Sequence, residues 1–154
     1  MKNKVPKYIA TLGFIGYLPA PGTCATFVTL FMVWILQSLS LWIYALVLLG
    51  AIIMSYFIIQ QAQQLFYEKD PQPIVLDEVV GCLITFFAIP QSFGLLILGF
   101  VVFRFFDIFK FGIIHQVQKY DGAFGIVADD IGAGFISNVI LHIIIYVTHI
   151  LSTL

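Results

Sequence analysis

The sequence predicts an all-α fold, a polytopic membrane bundle of four to five spans preceded by an N-terminal interfacial or re-entrant segment, and three observations predict it. The 154 residues are 61% hydrophobic and only 10% charged, outside the range of soluble globular domains. No Asp, Glu, Lys or Arg occurs in residues 8–67, 79–103 or 131–154, and about 20 apolar residues suffice for a spanning helix. Short polar or proline-marked breaks divide the apolar sequence at helix-length intervals. With a net charge of -1 and no basic stripe, nothing here would neutralise a nucleic-acid backbone.

The first element, residues 1–22, opens with three lysines and continues through Gly13, Gly16, Pro19, Pro21 and Gly22. These interruptions suit an interfacial or re-entrant lead-in and argue against a cleaved signal peptide. The remainder, 23–154, reads as one helical bundle, so the chain is expected to be a single membrane domain. Pro21-Gly22-Thr23 marks a helix start with Thr23 as its N-cap. A first span is expected over about 24–39 and a second over about 41–65, Trp34 and Trp42 flanking the turn as an aromatic belt would. After the polar loop 68–73, a third span is expected over 75–89, closed by Pro90, and a fourth over 93–109. The last begins near Gly125. Cys24 and Cys82 show no metal or redox spacing and read as core residues.

Lys2, Lys4 and Lys7 place the N-terminus in the cytoplasm by the positive-inside rule. Tracing the spans from there puts Asp77 and Glu78 at the start of the third, Arg104, Asp107 and Lys110 at the end of the fourth, and Asp129 and Asp130 in the first turn of the last. All then gather at one edge of the bilayer. The far turns, at Gln37 and Gln91, carry no charge.

Charges at span ends are commonly anchors, a reading that suffices for Lys69, Lys119 and Asp121. Two adjacent acid pairs, Asp77-Glu78 and Asp129-Asp130, are different: neighbouring carboxylates repel unless a cation lies between them. Each pair has a glycine four residues after an acid, Gly81 and Gly134, on that acid's helix face, where a second backbone can approach. Arg104, Asp107 and Lys110 recur every three residues along one face. The cluster is therefore expected to hold Mg²⁺ and a phosphate, with Asp77, Glu78, Asp129 and Asp130 as metal ligands and Asp107 as a further ligand or base. Gly22 and Thr23 offer helix-start N–H groups to the anion, and His115 lies in the adjoining polar loop. His142 and His149 read as packing or interface residues on the far side.

Four blocks in this order resemble the bacterial phosphatidylglycerophosphatase A family: Ala20-Pro21-Gly22-Thr23; Ile74-Val75-x-Asp77-Glu78-x-x-Gly81 with Pro90 following; Phe103-Arg104-x-x-Asp107-x-x-Lys110; and Gly125-Ile126-x-x-Asp129-Asp130-x-x-Ala133-Gly134. The resemblance runs from about residue 13 to 137. It implies Mg²⁺-dependent hydrolysis of phosphatidylglycerophosphate to phosphatidylglycerol and phosphate, in the bacterial inner membrane with the site on the cytoplasmic side. Asp107, Lys110, Asp129 and Asp130 are then the expected catalytic residues, and Gly22, Thr23, Arg104, Lys110 and His115 those contacting the phospholipid.

The chain departs from the family pattern at Ala25 and Thr26, at Ala123, and over Phe111–His115, where Pro-x-Pro-Ile and an Arg are usual and His115 is a candidate replacement for the Arg. Water attack and an aspartyl-phosphate intermediate both stay open. The rival from another class is a small ion- or proton-coupled transporter, which would place its acids near the bilayer midplane.

Overall fold

The computed structural model describes residues 4–66, 71–110 and 122–153. Among the described residues there are six α-helices, one 3-10 turn and no strand. The helices are α1 (Val5–Ala10), α2 (Pro21–Gln37), α3 (Leu41–Gln63), α4 (Leu76–Thr85), α5 (Phe93–Phe109) and α6 (Ala123–Thr153), with the 3-10 turn at Ile15–Tyr17 between α1 and α2.

Two helices, α3 and α6, are long and apolar enough to cross a membrane. Their apolar side chains mostly face outward: only 17% of the most apolar part of α3 is buried and 22% of that of α6. On α3 only Tyr44, Ser55, Ile59 and Ala62 turn inward, while Leu46, Met54 and Phe57 stand exposed. Apolar surface of this extent is matched to lipid rather than to water.

At the other extreme, α4 is short and central. At ten residues it rises about 15 Å, half of a bilayer's hydrocarbon core, so the continuous span expected over 75–89 is corrected to a half-length helix. The cause lies far away in sequence: the Asn138 amide of α6 donates to the carbonyls of Thr85 and Phe87 at 3.1 and 2.8 Å. Thr85 is the last residue of α4 and Phe87 lies just beyond it, and both carbonyls would otherwise be orphaned. Ala88 then takes a left-handed φ of 58° ahead of Ile89-Pro90. Cys82, Leu83 and Phe86 fill the core together with Val33 of α2, Phe103 of α5 and Leu141 of α6.

Sequence reading located the α4–α6 crossing. A Cβ on Gly134 would fall on the carbonyl of Gly81 and lie 3.1 Å from its Cα, and one on Gly81 would lie 2.8 Å from the carbonyl oxygen of Asp130. The two helices meet backbone to backbone because neither residue has a side chain.

The start of α2 differs from expectation. Ala20, at a left-handed φ of 53°, is the cap and Pro21 the first helical residue, so Thr23 lies inside the helix. Proline's fixed φ and missing N–H suit that first position. The N-terminal segment forms no regular span: α1 packs through Ala10 on Ile59 and Ala62 at the end of α3. The Val75 N–H reaches the Ala10 carbonyl at 2.9 Å. Lys7 lies 4.2 Å from the centroid of the Phe66 ring, a cation–π arrangement. Helix α1, the end of α3 and the start of α4 thus share one end of the bundle. Cys82 is buried and Cys24 only half-buried, both as free thiols, so the core reading holds for the first alone.

Candidate active site

Four helix ends converge on one cavity of about 430 Å³. The N-terminus of α2 brings Gly22, the first turn of α4 brings Asp77 and Glu78, the end of α5 brings Arg104, Asp107 and its cap Lys110, and α6 brings Asp130. Asp129 and Asp130 lie a turn deeper in α6 than expected, because that helix starts at Ala123 and its first turn holds no acid. Asp77, Asp107, Asp129 and Asp130 are all buried.

Two ion pairs engage part of this charge. Arg104 pairs with Asp107 three residues on. The Lys110 ammonium pairs with Asp129, whose other carboxylate oxygen accepts the Asp130 N–H at 3.0 Å. Lys110 takes a left-handed φ of 47° as the C-cap of α5, a position where glycine is usual and any other residue is strained. That turn aims its side chain across at α6. Burial alone would lower the Lys110 pKa. The Asp129 carboxylate, with Asp130 and Asp107 behind it, outweighs that and holds the ammonium above the ordinary lysine value.

Asp77, Glu78 and Asp130 have no such ion pair among the described residues. Asp77, Glu78 and Asp130 each offer an oxygen to a cluster whose atoms all lie within 4.8 Å of one another. Among the described residues, Asp77 Oδ1, Glu78 Oε2 and Asp130 Oδ2 are buried with no hydrogen-bond partner, and so is Arg104 Nε. Buried polar atoms of this kind are costly unless something satisfies them. An oxygen-only set of three carboxylates is the donor chemistry of a hard divalent cation, and a neighbouring guanidinium with an unused N–H suits an anion. Gly22 makes room for both: a Cβ there would collide with the Glu78 carboxylate and come within 3.0 Å of Arg104 Nη1.

The comparisons with known proteins bear directly on this cavity. The phosphatidylglycerophosphatase A family profile matches residues 8–145, which takes in every charged group just described. The chain belongs to the phosphatidylglycerophosphatase A family. It is 32% identical over 146 residues to the phosphatidylglycerophosphatase A of Haemophilus influenzae, covering 92% of this chain and 90% of that one. It is also 32% identical over 149 residues to that of Escherichia coli K12, covering 94% and 86%. No solved structure matches the chain. Family membership makes this protein a phosphatase.

All four family blocks supply residues at or beside this cavity, and among them the Asp129-Asp130 pair is split. Asp129 is engaged by Lys110 and by backbone, and the trio of close carboxylates is Asp77, Glu78 and Asp130. Gly22 and Pro21 line the cavity wall, with Thr23 outside it. His115 lies outside the described residues. His142 and His149 are both exposed on α6. Pro71 and Gln72, which sequence reasoning missed, also line the cavity. Their one signal was position, just upstream of the first acid pair.

Proposed function

We propose that this protein hydrolyses phosphatidylglycerophosphate to phosphatidylglycerol and inorganic phosphate with Mg²⁺, as a multi-pass protein of the bacterial inner membrane whose cavity opens on the cytoplasmic side. The observation carrying the reading is the juxtaposition, in one cavity of a family member, of three unpartnered carboxylate oxygens with the Arg104 guanidinium. The half-length α4 supports the placement, since it sets the acids of α4 beside those of α6 at one end of the bundle. The described Lys, Asp, Glu and Arg residues gather toward that end, a distribution that gives the transporter reading no support.

In this reading Asp77, Glu78 and Asp130 hold the cation, which when bound supplies a Lewis acid that neutralises phosphate charge and lowers the pKa of water. Arg104 donates its free Nε–H to a phosphate oxygen, and Lys110, braced by Asp129, supplies the second positive charge as the phosphoryl group passes between oxygens. Asp107 orients Arg104 and is the carboxylate available to take a proton from the attacking water. Water adds to phosphorus, the ester P–O bond breaks, and the departing glycerol oxygen takes up a proton. Gly22 keeps the Glu78 and Arg104 side chains close together.

The test is phosphate release from defined phosphatidylglycerophosphate by purified protein in detergent, with Mg²⁺ and with chelator. Release that requires Mg²⁺ is expected. No release in either condition, or equal release in both, overturns the reading.

A further inference from the structure

Two apolar hollows lie along the bundle, and they relate differently to the charged cavity. One, of about 300 Å³ between α3 and α6, is lined by Phe124, Ala128 and Ile131. Their spacing puts them on the face of α6 turned away from Asp129 and Asp130. The other, of about 490 Å³, lies between α2 and α5, walled by Phe27, Leu30 and Trp34 on one side and by Phe93 and Ile97 on the other.

The two helices that wall the second hollow, α2 and α5, also carry residues of the cavity. On α5, Phe93, Ile97, Phe100, Arg104 and Asp107 follow at three- and four-residue intervals, so a single stripe begins apolar and ends on the charged pair. On α2, Gly22 lies at the cavity and Phe27 begins the hollow little more than a turn later. Phe27 and Phe100 meet edge to face at the junction, centroids 6.5 Å apart. From Gly22 to Trp34 the helix rises about 18 Å, close to the half-thickness of a roughly 30 Å hydrocarbon core.

We propose that the α2–α5 cleft seats an acyl chain of the phospholipid whose phosphate enters the cavity. The inference rests on the lipid-phosphatase reading above and adds the route by which the substrate's tail stays in the bilayer while its head is bound. The cleft matches a hydrocarbon chain in chemistry, because none of these wall residues is charged, and in reach, because its far end at Trp34 lies about 18 Å along α2 from Gly22 at the charged cavity, near the depth of one leaflet. The α3–α6 hollow matches it in chemistry only.

Trp34 reports on the cleft directly, since Trp34 and Trp42 are the chain's two tryptophans and Trp42 is exposed beyond it on α3. In a Trp42→Phe variant reconstituted in vesicles with Mg²⁺, quenching of Trp34 is measured with two brominated-chain lipids at equal mole fraction. One is a non-hydrolysable phosphonate analogue of phosphatidylglycerophosphate and the other is phosphatidylcholine. The phosphonate lipid is expected to quench more strongly, by about twofold or more, because head-group affinity concentrates its chain at the site. Equal quenching overturns the proposal and makes the cleft ordinary lipid-facing surface. Weak quenching by both overturns it in favour of protein, such as a second copy of the chain, covering Trp34. Phosphate release is read separately: a protein that hydrolyses the lipid yet shows equal quenching loses the cleft and keeps the function.

Discussion

The two ends of this bundle solve the problem of buried polarity in opposite ways. At the end away from the acids, neutral side chains spend their donors on backbone carbonyls that the helix ends leave free. Gln37 reaches Ile89 at 3.2 Å, Gln91 reaches Trp34 at 3.0 Å, Tyr44 reaches Leu83 at 2.9 Å and Asn138 caps α4. Among the described residues only Gln37 Oε1 is left over there. At the cavity, among the described residues, five carboxylates face Arg104 and Lys110, and four side-chain atoms are buried without partners. The first end is built for stability. The second is incomplete by itself, which is how a site that completes itself with a cation and a phosphate looks from the protein's side.

That contrast sorts the effects of substitutions. Asp130→Asn should have the largest effect on chemistry, costing roughly 4 kcal/mol of transition-state stabilisation, about a thousandfold in turnover. In chelator the same variant should melt no lower than wild type, since it removes one of three mutually repelling carboxylates. A metal-free Asp130→Asn protein that unfolds would make Asp130 a structural residue. Lys110→Ala should cost about a hundredfold in turnover. Lys110→Arg should recover part of this, because a guanidinium keeps the charge but not the compact ammonium. An alanine variant within threefold of wild type would reduce the Lys110–Asp129 pair to bundle packing.

Gly22→Ala should be milder, about tenfold or roughly 1.4 kcal/mol, as the added methyl pushes Glu78 and Arg104 apart. Unchanged turnover would show that neither position matters to catalysis. The smallest effect on chemistry should come from the neutral end. Asn138→Leu should lower stability by about 1–3 kcal/mol by orphaning carbonyls of α4, with turnover per folded molecule unchanged. Lost activity at full stability would mean that the neutral end reaches the site.

The sequence made the acidic end legible and the neutral end nearly invisible, for physical reasons. Paired acids among aliphatic residues are conspicuous because their burial is costly, and glycines at Gly81 and Gly134 mark a close helix crossing by spacing alone. What spacing could not divide was the pair Asp129-Asp130. Adjacent residues on a helix point about 100° apart, so one turns to Lys110 and the other to Asp77 and Glu78. Nor could it stop α4 at Thr85, because the capping amide comes from Asn138, 53 residues on. Thr23 looked like a cap because threonine favours that role, yet Pro21 claims the first helical position more strongly.

The central claim, that the orphaned carboxylates form a cation site, is tested most directly by thermal unfolding of detergent-solubilised protein across a Mg²⁺ titration, with no substrate present. Binding confined to the folded state stabilises by about 2.7 kcal/mol at a hundred times Kd. Wild type should therefore melt several degrees higher at saturating Mg²⁺, and Asp77→Asn should lose most of that shift. A wild-type protein whose melting ignores Mg²⁺, or an Asp77→Asn variant shifted as far as wild type, would contradict the account.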